Sequence, residues 1–165
     1  MKTQENLMTA FAGESQANRK YLAYAKRAEA EGFQNIGRLF KAIAEAETIH
    51  ALKHLEITGK VKTSAENLAA AIEGEHHEFT AMYPEFIEAA EAEGRSDALR
   101  SFKLALEAEK VHGSLFSKVK AMVDAGSDLE TEGLHLCPVC GYVGLDPAPA
   151  HCPICNARAA SFIAF

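Results

Sequence analysis

Five glutamates and two histidines lie on the apolar faces of helix-patterned segments, where a helical bundle normally carries aliphatic side chains. Two of the glutamates belong to Glu-x-x-His units, Glu47 with His50 and Glu109 with His112. Residues three apart share a helix face, with Cβ atoms about 5 to 6 Å apart, so each unit can bind one site. Clustered carboxylates in an apolar core repel one another and lose solvation, and bound cations remove both penalties. The predicted ligands are Glu14, Glu47, His50, Glu75, Glu78, Glu109 and His112.

The apolar periodicity predicts four long helices, each closing at a glycine. Thr63 and Glu66 have the spacing of a capping box, Pro84 is expected to bend the third helix, and Ser96 or Asp97 is expected to cap the fourth. In ferritin-like two-metal bundles, two helices each contribute a glutamate and the other two a Glu-x-x-His unit. The sequence therefore predicts an all-α, ferritin-like four-helix bundle. Its helices are expected at about residues 4–31, 35–58, 63–93 and 96–126.

The metals follow from the donor types. Oxygen-rich ligation with two imidazoles favours iron or manganese, and the absence of thiolates argues against a structural zinc in the bundle. Neighbouring glutamates Glu45, Glu73 and Glu107 fall off the apolar faces and are expected in solvent. Tyr21 and Tyr83 share faces with the predicted ligands, where they either pack in the core or donate hydrogen bonds beside the metals.

A second metal site is predicted after the helices, where two CxxC turns are separated by eleven residues. Four thiolates in this arrangement bind one tetrahedral ion, and both iron and zinc fit. Gly141 and Asn156 follow the second cysteine of each turn and tolerate positive φ, so backbone amides can point at sulfur. His135 and His151 are expected to be exposed. The predicted ligands of this site are Cys137, Cys140, Cys152 and Cys155.

The chain is expected to divide into a bundle at residues 1–126, a polar tether at 127–133 and a small metal-dependent domain at 134–165.

The formal net charge is −6, and the absence of a basic stripe makes nucleic acid and anionic membranes poor partners. There is neither an apolar run of membrane-spanning length nor a signal-peptide pattern, so a cytoplasmic location is expected. Because every cysteine belongs to a CxxC pair, metal binding is favoured over disulfides.

These motifs together resemble the rubrerythrin family over nearly the whole chain. The resemblance rests on the following motifs: FAGESQ around Glu14, ETIH from Glu47, AIEGE at residues 71–75 with Glu78 and MYP at residues 82–84, EKVH from Glu109, and the CPVCGY and CPIC turns. It implies a ferritin-like diiron domain followed by a rubredoxin-like domain that holds one iron on four cysteines. One departure is His77, which stands just before Glu78 where the family often has tyrosine.

The resemblance also implies an activity, the reduction of hydrogen peroxide to water in oxidative-stress defence. Glu47 and Glu109 would bridge two non-haem irons, Tyr21 and Tyr83 would donate hydrogen bonds, and the cysteine-bound iron would relay electrons. The implied electron donor is an NAD(P)H-linked reductase or a rubredoxin-type protein, and zinc can replace iron on the cysteines. Two alternatives remain open at this point: a ferritin-like protein of iron oxidation or storage, and a structural helical protein with a zinc ribbon.

Helix length leads to an expectation about assembly. His112 precedes the end of the fourth helix by about twelve residues, so the tether begins roughly 18 Å from the metal ligands. We therefore expect a homodimer or larger oligomer, in which the cysteine-bound iron of one chain serves the diiron site of another.

Overall fold

The computed structural model describes residues 1–165 and divides them into two compact units, Met1–Lys62 and Thr63–Phe165. The helices end close to the positions that the sequence predicts, and the glycines at positions 32, 59, 94 and 126 all have positive φ. A positive φ is readily available to glycine, so these residues terminate the helices. None of the helices is both long and apolar enough to cross a membrane.

The first unit is a helical hairpin of α1 (Lys2–Ala30) and α2 (Gln34–Ile57), which pack together along their length. The interface is built from small residues, including Ala25, Ala44 and Ala51, which are almost fully buried. A Cβ atom at Gly37 would lie 2.6 Å from Cγ of Glu29 and 3.3 Å from the Ala25 carbonyl oxygen. The close approach of the two helices at this point therefore depends on a glycine.

Asn18 joins the two helices through its side chain, which is only 6% exposed. Its Nδ2 donates to the Ala44 carbonyl oxygen at 2.7 Å and to Thr48 Oγ1 at 2.8 Å. Because buried polar groups are costly unless they are paired, these two bonds make the pairing of α1 with α2 specific.

Replacing Asn18 by alanine is expected to lower the free energy of unfolding by about 1–3 kcal/mol, since the Ala44 carbonyl loses a buried donor. Denaturant unfolding followed by circular dichroism measures this change. Lys20→Ala, an exposed substitution on the same helix, is the control and is expected to stay within about 0.5 kcal/mol of the parent. An equal loss in both variants would show that Asn18 has no special role.

The second unit begins with α3 (Ser64–His77), where Thr63 and Glu66 form the predicted capping box. The helical run continues without a break as far as Ala92. A π-helical turn, Glu78–Met82, follows α3, and Pro84 lies in the first turn of α4 (Tyr83–Ala92), where its missing N–H is tolerated. The π-helical turn was not expected from the sequence, and the bend at Pro84 stays a prediction.

The last helix, α5 (Ser96–Asp124), packs against α3 and α4. The predicted cap is wrong, because the N-cap residue is Arg95 and no side chain caps the helix. Arg95 instead pairs with Asp97 through Nε and Nη2, at 3.0 and 2.9 Å.

The remaining residues form a three-stranded antiparallel sheet with strand order β2-β1-β3. Its strands are β1 (Leu134–Leu136), β2 (Val143–Leu145) and β3 (Ile163–Ala164). Cysteines 137, 140 and 152 form the buried centre of this module, and Tyr142, Phe162 and the α5 residue Leu104 pack around them. The predicted fold class, a helical protein with a small four-cysteine domain, is confirmed, whereas boundaries at residues 126 and 134 stay a prediction.

Candidate metal centres

The helices bring the predicted oxygen and nitrogen ligands together in two groups of three. The amino-terminal triad comprises Glu14, Glu47 and His50, and the carboxy-terminal triad comprises Glu75, Glu109 and His112. Within each triad, one ligand atom from every residue lies within 4.8 Å of the others. Both triads contain two carboxylates and one imidazole, so each compact unit of the chain carries the same donor set.

The amino-terminal triad is the more open of the two. His50 Nδ1 lies 3.1 Å from Glu47 Oε2, which brings the two members of this Glu-x-x-His unit into contact as the helical spacing predicts. The His50 side chain is 56% exposed, whereas that of Glu47 is 15% exposed. Glu14 reaches the same place from α1 and is half-buried.

The carboxy-terminal triad is more enclosed. His112 Nδ1 lies 2.7 Å from Glu109 Oε2 and 3.7 Å from Glu75 Oε2. Glu75 Oε2 is buried without a hydrogen-bond partner. Burial, reinforced by the neighbouring Glu109 carboxylate, raises the pKa of Glu75 to about 7. This arrangement leaves a buried carboxylate oxygen without a hydrogen bond, and His112 Nδ1 lies 3.7 Å from it.

A metal ion fits both triads. Carboxylate oxygens and imidazole nitrogens are the donors that iron and manganese accept, and a cation beside Glu75 Oε2 would supply the missing partner of that buried atom. Glu78 lies outside the closest group, at the start of the π-helical turn. Burial and the nearby Glu109 carboxylate raise the pKa of Glu78, as they do for Glu75.

Four sulfur atoms form the third group, and all lie within 4.8 Å of one another. The Sγ atoms of Cys137 and Cys155, and those of Cys140 and Cys152, are 3.5 Å apart, so no disulfide is present. Sulfur atoms about 2.3 Å from a tetrahedral ion would be about 3.8 Å apart, close to this spacing. The predicted tetrathiolate geometry is therefore present, and it suits either iron or zinc.

Backbone amides point at the sulfurs, as expected from the residues that follow each turn. Gly141 and Asn156 have φ of +84° and +63°. Burial by itself would raise the pKa of Cys137, but the N–H groups of Val139 and Cys140 and the neighbouring thiols lower it to about 7. Burial raises the pKa of the Cys140 thiol. The amides stabilise the Cys137 thiolate, while burial disfavours the Cys140 thiolate. A bound cation would stabilise both thiolates, so this arrangement suits a metal site.

His112 connects the carboxy-terminal triad to the cysteine module. While Nδ1 contacts Glu109, Nε2 lies 2.9 Å from the Gly141 carbonyl oxygen, one residue beyond Cys140. A ring nitrogen beside a carbonyl oxygen carries the proton, so Nε2 donates to Gly141, and Nδ1 is the nitrogen that can bind a metal. The expectation that the cysteine site lies far from its own chain's ligands is therefore wrong for His112, because the tether folds the module back onto α5.

The other candidate residues occupy simpler positions. Tyr21 packs against Tyr24 and Phe40, with ring centroids 6.2 and 6.0 Å apart. Tyr83 packs against Phe86 and Phe102, and burial, together with Glu109, raises the pKa of its hydroxyl. Both tyrosines are half-buried, and a hydrogen-bonding role beside the metals stays a prediction. The off-face glutamates Glu45, Glu73 and Glu107 are exposed, as expected, and His76 and His77 are exposed as well.

Two features of the cysteine module were missed. The expectation that His135 is exposed is wrong, because His135 is only 4% exposed and its ring stacks on Phe162 with centroids 5.4 Å apart. Alternation in Leu134-His135-Leu136 indicates a strand, but it does not tell which face is covered. His151 is exposed, as expected. The Gly141 carbonyl was missed because a backbone acceptor leaves no signal in the residue type.

The raised pKa of Glu75 leads to a prediction for the metal-free protein. The pKa of this carboxyl is about 7 in the folded state and 4.5 in the unfolded state. The free energy of unfolding therefore falls as pH rises from about 4.5 to about 7, and it falls no further above that pH. Replacing Glu75 by glutamine is therefore expected to stabilise the metal-free protein at pH 8 more than at pH 5. Denaturant unfolding at both pH values measures the difference. Glu73→Gln, at an exposed position, is the control, and the same pH dependence in both variants would contradict the assignment.

Comparisons with known proteins agree with this geometry. The family model for rubrerythrin matches residues 5–120, and the model for the rubrerythrin rubredoxin-like domain matches residues 135–163. Rubrerythrin-2 of Clostridium acetobutylicum is 39% identical, with 99% of this chain and 96% of that protein covered. Nigerythrin of Nitratidesulfovibrio vulgaris is 36% identical over 99% of this chain and 86% of the relative.

Solved structures of nigerythrin are similar as well. The fully reduced, all-ferrous form superposes with a TM-score of 0.60 at 35% identity and covers 99% of this chain and 86% of the other. A mixed-valent form gives the same TM-score at 36% identity. With matches over both the helical and the cysteine-containing parts, the chain belongs to the rubrerythrin family and carries that family's carboxylate–histidine diiron ligands and its four-cysteine, rubredoxin-like site.

Proposed function

We propose that the protein is a non-haem diiron peroxidase that reduces hydrogen peroxide to water in oxidative-stress defence. The reaction consumes one peroxide, two electrons and two protons and yields two waters. The observation that carries the proposal is the position of His112, which contacts Glu109 through one ring nitrogen and the Gly141 carbonyl through the other. A storage protein or a structural adaptor has no need to place a four-thiolate site against a carboxylate–imidazole triad.

The metal ligands proposed for the diiron site are the two triads and Glu78, and those for the single iron are the four cysteines. When bound, the diiron site supplies the two electrons that break the O–O bond, and the iron on the cysteines passes electrons on one at a time. Glu47 and Glu109 would hold the metals together with His50 and His112, since each glutamate already contacts the histidine of its own unit.

Protons are handled by groups of the chain. In the metal-free protein Glu75 has a pKa of about 7, so near neutral pH its buried carboxyl holds a proton that a bound cation would displace. The pKa of Tyr83 is raised, which keeps its hydroxyl protonated and able to donate a hydrogen bond beside the carboxy-terminal triad. His112 holds its Nε2 proton on Gly141 and thereby keeps Nδ1 directed at the site.

The proposed electron donor is an NAD(P)H-linked reductase or a rubredoxin-type protein. This proposal comes from the family, since the chain has no glycine-rich nucleotide-binding loop. Its support in the structure is the position of Cys155, the ligand that is less buried than the other three cysteines. An external donor can approach the cysteine site most closely from this side.

The proposal is tested with anaerobically reduced, iron-loaded protein. We expect about three irons per chain, and rapid oxidation by one equivalent of peroxide per diiron pair in stopped-flow absorbance. The same reduced protein mixed with oxygen is the comparison and is expected to react more slowly. Faster oxidation by oxygen, with iron accumulating far beyond about three per chain, would instead support iron oxidation and storage. Protein that takes up zinc on the cysteines and binds no iron in the helices during loading would support the structural alternative.

A further inference from the structure

The cysteine module presents the same turn twice, in two different surroundings. Gly141 and Asn156 each follow the second cysteine of a CxxC turn and have positive φ, +84° and +63°. The first turn lies against α5, where the Gly141 carbonyl oxygen is 2.9 Å from His112 Nε2 and a Cβ at Gly141 would lie 3.9 Å from that of Ala108. Within the same compact unit the second turn is open, since Asn156 is exposed and Cys155 is the least buried cysteine. The sulfur atoms therefore have one covered side and one accessible side.

Apolar side chains in the middle of both CxxC turns reach solvent. Pro138, Val139 and Pro153 are exposed, and the exposed fraction of Val139 is 55%. Ile154 is half-buried and packs against the cysteine cluster. Because these residues belong to the turns that hold the sulfur atoms, a partner that rests on them comes close to the cysteine site. Exposed apolar side chains grouped around a functional site indicate an interaction surface.

Arg158 places a positive charge beside the open turn. The Ala157 N–H donates to the Cys155 thiol, and the Ala157 carbonyl oxygen accepts from the Cys152 N–H at 2.7 Å. Arg158 follows directly, one Cα step of about 3.8 Å further along the chain. Its backbone is held by a β-bridge with His151. The residue is exposed and forms no salt bridge, so its charge is available to a partner.

The charges of this region are separated by sign. Arg158 is the only Lys or Arg after Lys120, whereas five acidic residues follow Lys120. Three of the acids, Glu130, Glu132 and Asp146, line one pocket. Asp146 directly follows β2, so the three residues of this strand, about 10 Å, separate the acidic pocket from the turn of the first two cysteines. A surface that is acidic at one end and cationic at the other orients a charged partner.

We propose that a docking surface for a small electron-donor protein, whose own redox centre is ringed by acidic side chains, is formed by Pro138, Val139, Pro153, Ile154 and Arg158. Transient redox complexes bury less than about 1,200 Å², so charge complementarity sets how fast and in which orientation the partners meet. Arg158 attracts the acidic ring, and the acidic pocket at the strand ends repels it. One electron passes from the donor, which is oxidised, to the cysteine site, which is reduced, and no bond or proton is exchanged. The inference rests on the electron relay of the proposed function and specifies the chemistry of the donor.

Binding is tested without electron transfer. The full chain is loaded with zinc, which fits four cysteines and is diamagnetic, and is titrated with a zinc-loaded, acidic rubredoxin-type protein while backbone amide shifts are followed by NMR. Shifts are expected at residues 139–140 and 154–158. They are expected to fade between about 0.01 M and about 1 M salt, as the Debye length falls from about 30 to about 3 Å. Shifts confined to other surfaces would overturn the proposal. Shifts at these residues that depend on the concentration of this chain alone would assign the surface to a second copy and overturn it as well.

Charge reversal tests the role of Arg158. The iron-loaded, oxidised protein is mixed with the reduced donor protein in stopped flow, and loss of the visible thiolate absorption gives the rate of reduction. Arg158→Glu is expected to lower this rate about tenfold at low ionic strength and less than about twofold at about 1 M salt, whereas Arg158→Lys keeps nearly the parent rate. The matched control is Lys118→Glu, the same charge change at an exposed position of α5, which is expected to change the rate less than about twofold. Equal losses in the two glutamate variants, or a tenfold loss in Arg158→Lys, would contradict the docking surface.

Two small reductants separate the charge of Arg158 from a change in the structure of the module. Ferrous EDTA is an anion and hexaammineruthenium(II) is a cation. Arg158→Glu is expected to slow reduction of the cysteine site by the first about threefold and to speed reduction by the second about as much. A change in the same direction with both reductants would show a structural effect and overturn the proposal. Because these rates report the cysteine site alone, a protein that behaves as expected here but is not oxidised by peroxide in its helical site would overturn the proposed peroxidase and leave the docking surface intact.

Discussion

Replacing Glu109 by alanine will lower peroxide turnover by more than about a hundredfold while leaving the cysteine-bound metal in place. Loss of a residue that only orients a ligand typically costs 10- to 100-fold in activity, so loss of a proposed metal ligand itself is expected to cost more. Glu109 also contacts His112 Nδ1, so its removal takes away a contact that positions this imidazole within the carboxy-terminal triad. Steady-state peroxide consumption and iron analysis measure the two effects.

The matched control is Glu107→Ala, on the same helix but exposed and paired only with Lys110 on the surface. It is expected to retain nearly full turnover. Glu47→Ala is expected to behave like Glu109→Ala, and Glu45→Ala like Glu107→Ala, because the two Glu-x-x-His units have the same helical phase. Comparable losses at positions 107 and 109 would show that the assignment of helix faces is wrong.

Replacing Cys152 by serine is expected to remove the thiolate-bound iron and its visible absorption, and to lower donor-driven turnover by more than about a hundredfold. Cys152 is 3% exposed and lies at the centre of the module, so its sulfur has no substitute. The two irons of the helical site are expected to remain, and the reduced variant should still be oxidised once by peroxide. Loss of all iron would mean that the two ligand sets do not bind independently.

Mixing Cys152→Ser chains with Glu109→Ala chains separates transfer within a chain from transfer between chains. The tether length alone predicts that hybrids recover activity by cross-chain transfer. The contact of His112 Nε2 with the Gly141 carbonyl instead puts the cysteine site and the carboxy-terminal triad in the same unit of one chain. Verified hybrids are therefore expected to stay inactive, because neither copy retains both centres. Recovery of turnover would restore the cross-chain route.

Much of the fold and of the ligand set can be predicted from the sequence because the decisive interactions are local. A three-residue spacing on a helix brings Glu47 to His50 and Glu109 to His112 whatever the helix packs against. The CxxC turns are local as well, and the positive φ of Gly141 and Asn156 follows from the residue types. The helix ends are predictable for the same reason, because glycine readily adopts the positive φ found at positions 32, 59, 94 and 126.

Other features depend on contacts between residues far apart in the chain, and these only the tertiary structure decided. The sequence offered seven ligands as one set, whereas the structure shows two triads on two compact units, with Glu78 outside both. It also buries His135 against Phe162 and directs His112 at a backbone carbonyl 29 residues away. Periodicity shows which face of a helix or strand is apolar, but the partner that covers that face is set by packing and by the reach of the connections. Residue spacing therefore determined the chemistry of each ligand group, and the tertiary structure determined which groups meet.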